Sequence, residues 1–119
     1  MNIEEFRLYC LLKEGVTEEF PFDNETLVFK VSGKIFALTN IDNFESLNLK
    51  CDPEKAIADR ERYASVHPGY HMNKKHWNTI SIDGNIPDDV IYNWINDSYN
   101  LVIKGLSKAK KEKIKNSSI

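Results

Sequence analysis

The sequence predicts a single α+β domain of two layers, with helices on one face of an antiparallel sheet of about five strands, in the order α-β3-α-β2-α. Its 119 residues suit one hydrophobic core. Hydrophobic residues make up 41% and charged residues 29% of the chain, which is ordinary for a globular protein. Helical and strand periodicities alternate along the chain. We therefore place one domain at residues 1–106 and a lysine-rich C-terminal end of the last helix at residues 107–119.

The first predicted element is a helix, followed by three strands. Apolar side chains recur at helical spacing at Ile3, Phe6 and Cys10, directly after Asn2, a residue typical of N-caps. An extended piece at 20–22 precedes the three strands, which are the alternating segments 27–31 and 35–39, joined by a turn at 32–34, and "SLNLKC".

The second half of the chain begins with a strong helix start. Asp52 can cap free amides, and Pro53 lacks the N–H that the first helical position leaves unused. The predicted elements are, in order, a helix from about Pro53 to Ala64, a short strand at 70–73, a strand over "HWNTISI" and a long helix from Pro87 to Leu106.

Strand alternation sorts the side chains onto two faces of the sheet. The side chains expected to face the helices are Leu27, Phe29, Val31, Leu47, Leu49, Asn78, Ile80 and Ile82. Those expected on the opposite, open face are Lys30, Ser32, Asn48, Lys50, Trp77, Thr79 and Ser81. A tryptophan among lysines is unusual on an open face, so an alternative is that the long helix or the C-terminal tail covers Trp77.

The net charge of −2 conceals an asymmetry along the chain. Residues 1–103 hold 10 basic and 17 acidic side chains, whereas residues 104–119 hold six lysines and one acid, Glu112. A lysine-rich helix end suits the negative end of the helix dipole and favours solubility. The alternative is that this tail binds nucleic acid or an anionic membrane.

All three histidines lie in "HPGYHMNKKHW", at positions 67, 71 and 76, which suggests a zinc site. Pro68 and Gly69 disfavour the helix that would place two of these histidines on one face. No Asp or Glu occurs between Arg62 and Ile82 to act as a further ligand or to orient a histidine. We therefore expect no metal.

No sequence motif indicates catalysis or a cofactor. The chain lacks a G-x-S-x-G elbow, a phosphate-binding G-x-x-x-x-G-K-[ST] loop and a G-x-G-x-x-G fingerprint, so we expect neither enzymatic activity nor a cofactor. Cys10 and Cys51 are far apart, which predicts two free thiols. The acidic N-terminus and the lack of an apolar run near 20 residues predict a cytoplasmic protein without a membrane partner.

The stretch without acids instead favours nucleic-acid binding, because lysines pair with phosphates and tryptophan can stack on bases. The candidate contact residues are Lys30, Lys34, Lys50, Asn73, Lys74, Lys75, His76 and Trp77. We expect a monomer, with DNA bound modestly and in a strongly salt-dependent way because the rest of the chain is acidic. The alternative is a non-enzymatic protein-interaction module that uses the open sheet face and Trp77 as a buried anchor for a protein partner.

Four segments together resemble the MmcQ/YjbR family of small bacterial proteins, in order along most of the chain: "VFKVSGKIFAL", "LKCDPEKA", "HPGYHMNKKHWNTISIDGNIPDD" and "WINDSYNLVIKGL". The resemblance implies a topology similar to type III secretion chaperones and to the "double wing" DNA-binding domain of a phage transcription factor, and hence a DNA-binding, regulatory role. It also implies family-type polar and aromatic positions at Lys34, Lys50, Asn73, Lys74, His76 and Trp77, and packing positions at Ser98, Tyr99 and Val102.

Overall fold

A six-stranded antiparallel sheet with helices on one face makes up the computed structural model, which describes residues 1–70 and 72–116. The elements are α1 (Ile3–Leu11), β1 (Val16–Glu19), β2 (Thr26–Val31), β3 (Lys34–Asn40), β4 (Ser46–Lys50), α2 (Pro53–Arg62), β5 (Val66–Pro68), β6 (Trp77–Ser81), α3 (Asp88–Lys104) and α4 (Lys108–Asn116). The strand order across the sheet is β1-β2-β3-β4-β6-β5. The predicted α+β class is thereby confirmed.

The strands differ from the prediction at the two edges of the sheet. β1 was not predicted, because its sequence "VTEE" holds a single apolar residue. The short strand predicted at 70–73 is instead Val66–Pro68, since Tyr70 lies in a turn and Asn73 outside any strand. A proline is tolerated in β5 because this strand lies at an edge of the sheet. Position 71 lies outside the described residues.

The long helix also differs, because it ends earlier than predicted. α3 stops at Lys104 with Gly105 as its C-cap, and the lysine-rich end forms α4, a separate helix, rather than a continuation of the last helix. α4 returns toward the sheet, since a Cβ placed on Gly15 would lie 3.4 Å from the Ile114 side chain. The lysines are thereby held beside one end of the sheet.

The helix starts follow the predicted capping residues only in part. The Asn2 Oδ1 atom accepts a hydrogen bond of 2.8 Å from the Glu5 N–H, as expected for an N-cap. Asp52, by contrast, makes no side-chain capping bond, and α2 begins with Pro53 in its first turn and an Ala56 N–H donated to the Asp52 carbonyl.

A β-bulge in β3 interrupts the regular alternation of side chains between the two faces of the sheet. Phe29 pairs with Ala37 and Lys30 pairs with Ile35, so Phe36 has no partner on β2. Both Phe36 and Ala37 are fully buried in the core as a result.

Among the side chains assigned to a face, Ser32 departs from the prediction. Ser32 lies in the β2–β3 turn with a positive φ of 50° rather than on a strand face. Ile82 follows the end of β6 and packs, partly buried, against the core, in agreement with the prediction. Val28 has its Cα partner Leu38 on the open face, yet it is fully buried.

The fully buried Ser98 side chain joins α3 to the sheet. Its hydroxyl donates a hydrogen bond to the carbonyl of Phe36, the bulged residue of β3. The same oxygen accepts a 2.8 Å hydrogen bond from the Lys50 N–H at the end of β4. One hydroxyl therefore satisfies two backbone groups from neighbouring strands and sets where α3 lies on the sheet.

Replacing this hydroxyl should destabilise the fold. We expect Ser98→Ala to lower the free energy of unfolding by about 2 kcal/mol, because it leaves a buried N–H and a buried C=O without a partner. Urea denaturation followed by circular dichroism measures the change. Ser46→Ala is the matched control, because Ser46 lies on the open face and is partly exposed. Equal stability of the two variants would contradict the role of Ser98.

Candidate nucleic-acid interface

The lysines cluster at one end of the sheet because of the antiparallel connectivity. The segments that meet at this end are the α1–β1 connection, the β2–β3 turn, the β4–α2 connection, the β5–β6 loop and the α3–α4 connection. The basic residues there include Lys13, Lys30, Lys34, Lys50, Lys74, Lys75, Lys104 and the five lysines of α4. They outnumber the acids of the same end, which include Glu14, Asp52, Glu54 and Glu112 of α4. We call this the basic end.

The opposite end of the sheet is acidic. The connections there are β1–β2, β3–β4, α2–β5 and β6–α3, together with the N-terminus. Their acidic side chains are Glu4, Glu5, Asp23, Glu25, Asp42, Glu45, Glu61, Asp83, Asp88 and Asp89. Because these groups alternate in the sequence with the lysines, the folded arrangement separates charges that the linear sequence mixes. We call this the acidic end.

All eight predicted contact residues lie at the basic end. Lys50 and Trp77 are direct cross-strand partners on β4 and β6. Lys30 pairs with Ile35 next to the β2–β3 turn, and its Nζ lies 3.7 Å from a carboxylate oxygen of Glu19. Lys34 is exposed at the start of β3. The remaining four residues belong to the β5–β6 loop, which leads into β6 at Trp77. They are Asn73, Lys74, Lys75 and His76.

The β5–β6 loop (residues 69–76) is held in place by hydrogen bonds from its own backbone and from α2. The Gly69 N–H donates to the Trp77 carbonyl at 2.9 Å. The Asn73 Oδ1 accepts from the Lys75 N–H at 2.9 Å. The Arg60 guanidinium of α2 donates to the Lys74 carbonyl. These contacts leave the Lys74 and Lys75 side chains exposed, while the Asn73 amide has a structural role.

Two of the three histidines have structural contacts. The His67 Nε2 lies 3.3 Å from the Ser81 hydroxyl oxygen, across the β5–β6 pair. The His76 carbonyl accepts a 2.7 Å hydrogen bond from the Cys51 N–H. His71 lies outside the described residues. Within residues 1–70 and 72–116, no three His, Cys, Asp or Glu side chains come together as a metal site.

The open face is less open near β6 than the alternation predicts. Thr79 lies on this face but is buried, and its hydroxyl accepts a 3.0 Å hydrogen bond from the Tyr70 N–H of the β5–β6 loop. The Thr79 hydroxyl in turn donates to the Asn48 Oδ1 at 2.5 Å. Trp77 is partly buried, and a Cβ on Gly69 would lie 2.7 Å from its Cβ. The β5–β6 loop thus packs onto the sheet beside these residues.

A groove on the open face was missed at the level of sequence. It is a cavity of about 460 Å³ between Phe22, from the β1–β2 connection, and Tyr70 and Met72, from the β5–β6 loop. Phe22 and Tyr70 are each 68% exposed. The sheet residues that line it are Thr26, Ile35, Leu38, Thr39, Asn40, Ser46 and Asn48, with Asp23 at one edge. We call it the open-face groove.

The two cysteines are free thiols, as predicted. Cys10 is buried between α1 and the sheet, and burial raises the pKa of its thiol. Cys51 lines a separate cleft of about 330 Å³ between α2 and α3, together with the Lys55–Asp97 ion pair of 2.8 Å. Burial, with a further contribution from Asp59, raises the pKa of Cys51 to about 11. Its thiol is therefore protonated at neutral pH and is a poor nucleophile.

No helix within the described parts of the chain is both long and apolar enough to cross a membrane.

Comparison with known proteins gives one consistent result. A sequence model of the YjbR family matches residues 11–101. The uncharacterized protein YbdF of Escherichia coli O157:H7 is 41% identical over 97 residues, covering 81% of this chain and 80% of the relative. The uncharacterized protein YjbR of Escherichia coli strain K12 is 33% identical over 113 residues, covering 94% of this chain and 96% of the relative.

Solved structures show the same fold. The crystal structure of Deinococcus radiodurans protein DR2400, a DUF419 domain, has a TM-score of 0.90 and 39% identity, covering 95% of this chain and 87% of that chain. A Pseudomonas syringae protein has a TM-score of 0.72 and 29% identity in its crystal structure, covering 85% of this chain and 98% of that chain.

The contact between Gly69 and Trp77 should make Gly69 intolerant of a side chain. We expect Gly69→Ala to lower the free energy of unfolding by roughly 1–3 kcal/mol, because the new Cβ would overlap the Trp77 Cβ and force the loop away. Thermal denaturation measures the effect. Gly105→Ala is the control, since its Cβ would meet only backbone oxygens at ordinary distances of 3.6 and 3.7 Å. A neutral Gly69→Ala would contradict the packing.

The protonated state of Cys51 can be tested by alkylation of the folded protein. We expect the iodoacetamide reaction rate of Cys51 to keep rising between pH 9 and pH 11, because its pKa is raised to about 11. Mass spectrometry of the alkylated peptide measures this rate. A rate that reaches its plateau by pH 8 would show an activated thiolate and would reopen the question of catalysis.

Proposed function

The chain belongs to the YjbR family, and we propose that it binds duplex DNA without catalysing a reaction, using the basic end. The observation that carries the proposal is the separation of charge between the two ends of the sheet. A surface that pairs with phosphates needs clustered positive charge, and the basic end supplies it despite the net charge of −2. The acidic end then faces away from the DNA.

The spacing of two projecting segments supports contact with both DNA strands. The β2–β3 turn, with Lys34, and the β5–β6 loop, with Lys74 and Lys75, are separated by three strand spacings in the order β2-β3-β4-β6-β5. At about 4.8 Å per strand this separation is roughly 14 Å. It is comparable with the width of the DNA major groove, about 12 Å, so the two segments can reach the phosphates on its two sides.

Other residues of the basic end extend this surface. Lys50 and Trp77 lie between the two projecting segments, on the strands β4 and β6. The α4 lysines add positive charge on the helix side of the same end. These contacts are directed at the DNA backbone, which favours binding that depends little on base sequence. A regulatory role would follow from occupancy of DNA rather than from chemistry at a site.

Lysine substitutions at the two projecting segments should weaken DNA binding. We expect Lys34→Gln and Lys75→Gln each to reduce affinity roughly fivefold at 0.1 M salt and to lower the slope of log K against log salt by about one, since each removes a phosphate contact. Fluorescence anisotropy of a labelled blunt duplex, titrated at several salt concentrations, measures both quantities.

Arg62→Gln is the matched control, because it also removes one exposed positive charge but lies at the end of α2 that leads to the acidic end. We expect its affinity and salt dependence to equal those of the unmodified chain. No binding at low salt, or an equal loss of affinity in all three variants, would contradict the proposal.

A further inference from the structure

We propose that the open-face groove receives one or two unpaired nucleotides from the end of a bound duplex and stacks their bases between Phe22 and Tyr70. This inference deepens the DNA-binding function proposed above and rests on it. It assigns a role to a cavity that none of the predicted contact residues lines.

The walls of the groove have the chemistry of a stacking site. Phe22 and Tyr70 lie on different connections and both line the cavity, with 68% of each side chain exposed. Exposed aromatic rings are usual elements of single-strand binding, because every base has a face on which a ring can stack. Tyr70 belongs to the basic end, whereas Phe22 lies on the β1–β2 connection beside Asp23. A volume of about 460 Å³ is within the range of small-ligand pockets.

The floor of the groove offers two amide side chains to a base edge, beside the apolar side chains of Ile35 and Leu38. Asn48 and Asn40 lie on the open face of β4 and β3 and both line the cavity. The Asn48 Oδ1 accepts from the Thr79 hydroxyl, and the Asn40 Oδ1 accepts from the Asp42 N–H at 2.8 Å. Each amide therefore has its N–H groups to offer, and these match the carbonyl oxygens and ring nitrogens of base edges.

The charges at the two edges of the groove determine from which end the single-stranded nucleic acid enters and how many nucleotides bind. Ile35 lines the groove at the basic end, where its cross-strand partner is Lys30. Asp23 lines it toward the acidic end, and hydrogen bonds from the Glu25 and Thr26 N–H groups lower the pKa of this carboxyl, so it stays ionised. A phosphate backbone is accepted at the first edge and repelled at the second, which limits the bound strand to one or two nucleotides.

The first test compares a blunt duplex with the same duplex carrying a single-stranded overhang. We expect an overhang of two nucleotides to tighten binding about tenfold, within the range of 1–3 kcal/mol per stacked base, and a longer overhang to add no more. Phe22→Ala should abolish this gain and leave blunt-duplex affinity unchanged. Phe20→Ala is the control, because Phe20 is 47% exposed but lines a different cavity.

The second test removes the phosphate from the probe, so that the groove is measured independently of the basic end. We expect adenosine to shift the side-chain amide resonances of Asn40 and Asn48 in NMR spectra of the full chain, and Phe22→Ala to abolish these shifts. Blunt-duplex binding without an overhang gain or an adenosine shift would overturn the groove assignment alone. An extended apolar peptide that shifts these amides where adenosine does not would overturn it in favour of a peptide site. Adenosine shifts without blunt-duplex binding would instead contradict the basic-end proposal.

Discussion

The Ser98 hydroxyl is the contact on which the arrangement of the two layers depends. A bulge at Phe36 turns two consecutive residues of β3 into the core and leaves a backbone carbonyl directed at α3. The end of β4 offers an N–H beside it, and one small buried hydroxyl satisfies both groups. A larger residue at this position would hold α3 away from the sheet, and an apolar one would leave two buried polar groups unsatisfied. The bulge and the serine are therefore interdependent.

The antiparallel topology then determines where the charged residues go. In such a sheet successive connections alternate between the two ends, so a chain that alternates basic and acidic connections separates its charges when it folds. The turn with Lys34 and the loop with Lys74 meet at one end, and the connections with Asp23 and Glu45 meet at the other. The net charge of −2 is therefore a poor guide to the charge of either end of the sheet.

Local patterns predicted much of this molecule, and long-range contacts limited the rest. The Asn2 cap and the alternation of Leu47, Leu49 and Ile80 were readable because each depends on residues close in sequence or on a regular strand. The burial of Phe36 could not be read, because it depends on a pairing between β2 and β3 that skips one residue.

The candidate site likewise contains residues that local sequence predicts and residues that only the folded sheet brings together. Lys74, Lys75 and Trp77 of the basic end were identified from composition, because a stretch with no acids is visible in the sequence. The open-face groove was not identified, since Phe22 and Tyr70 lie on connections that only the folded sheet brings to opposite sides of one cavity. The "FPF" segment was the single available signal in the sequence. Nothing in the sequence indicates that Tyr70 of the β5–β6 loop lines the same cavity as Phe22.

The distance between the two charged ends has a consequence for how the protein meets a polyanion. β3 spans seven residues, or roughly 24 Å at about 3.4 Å per residue, which is about three Debye lengths at physiological ionic strength. Screening therefore decouples the ends, and an approaching phosphate backbone experiences the nearer one with little cancellation from the farther one. In the proposed encounter with DNA, this separation of charge favours the orientation in which the lysines face the polyanion, although the isoelectric point of about 5.9 marks the chain as acidic.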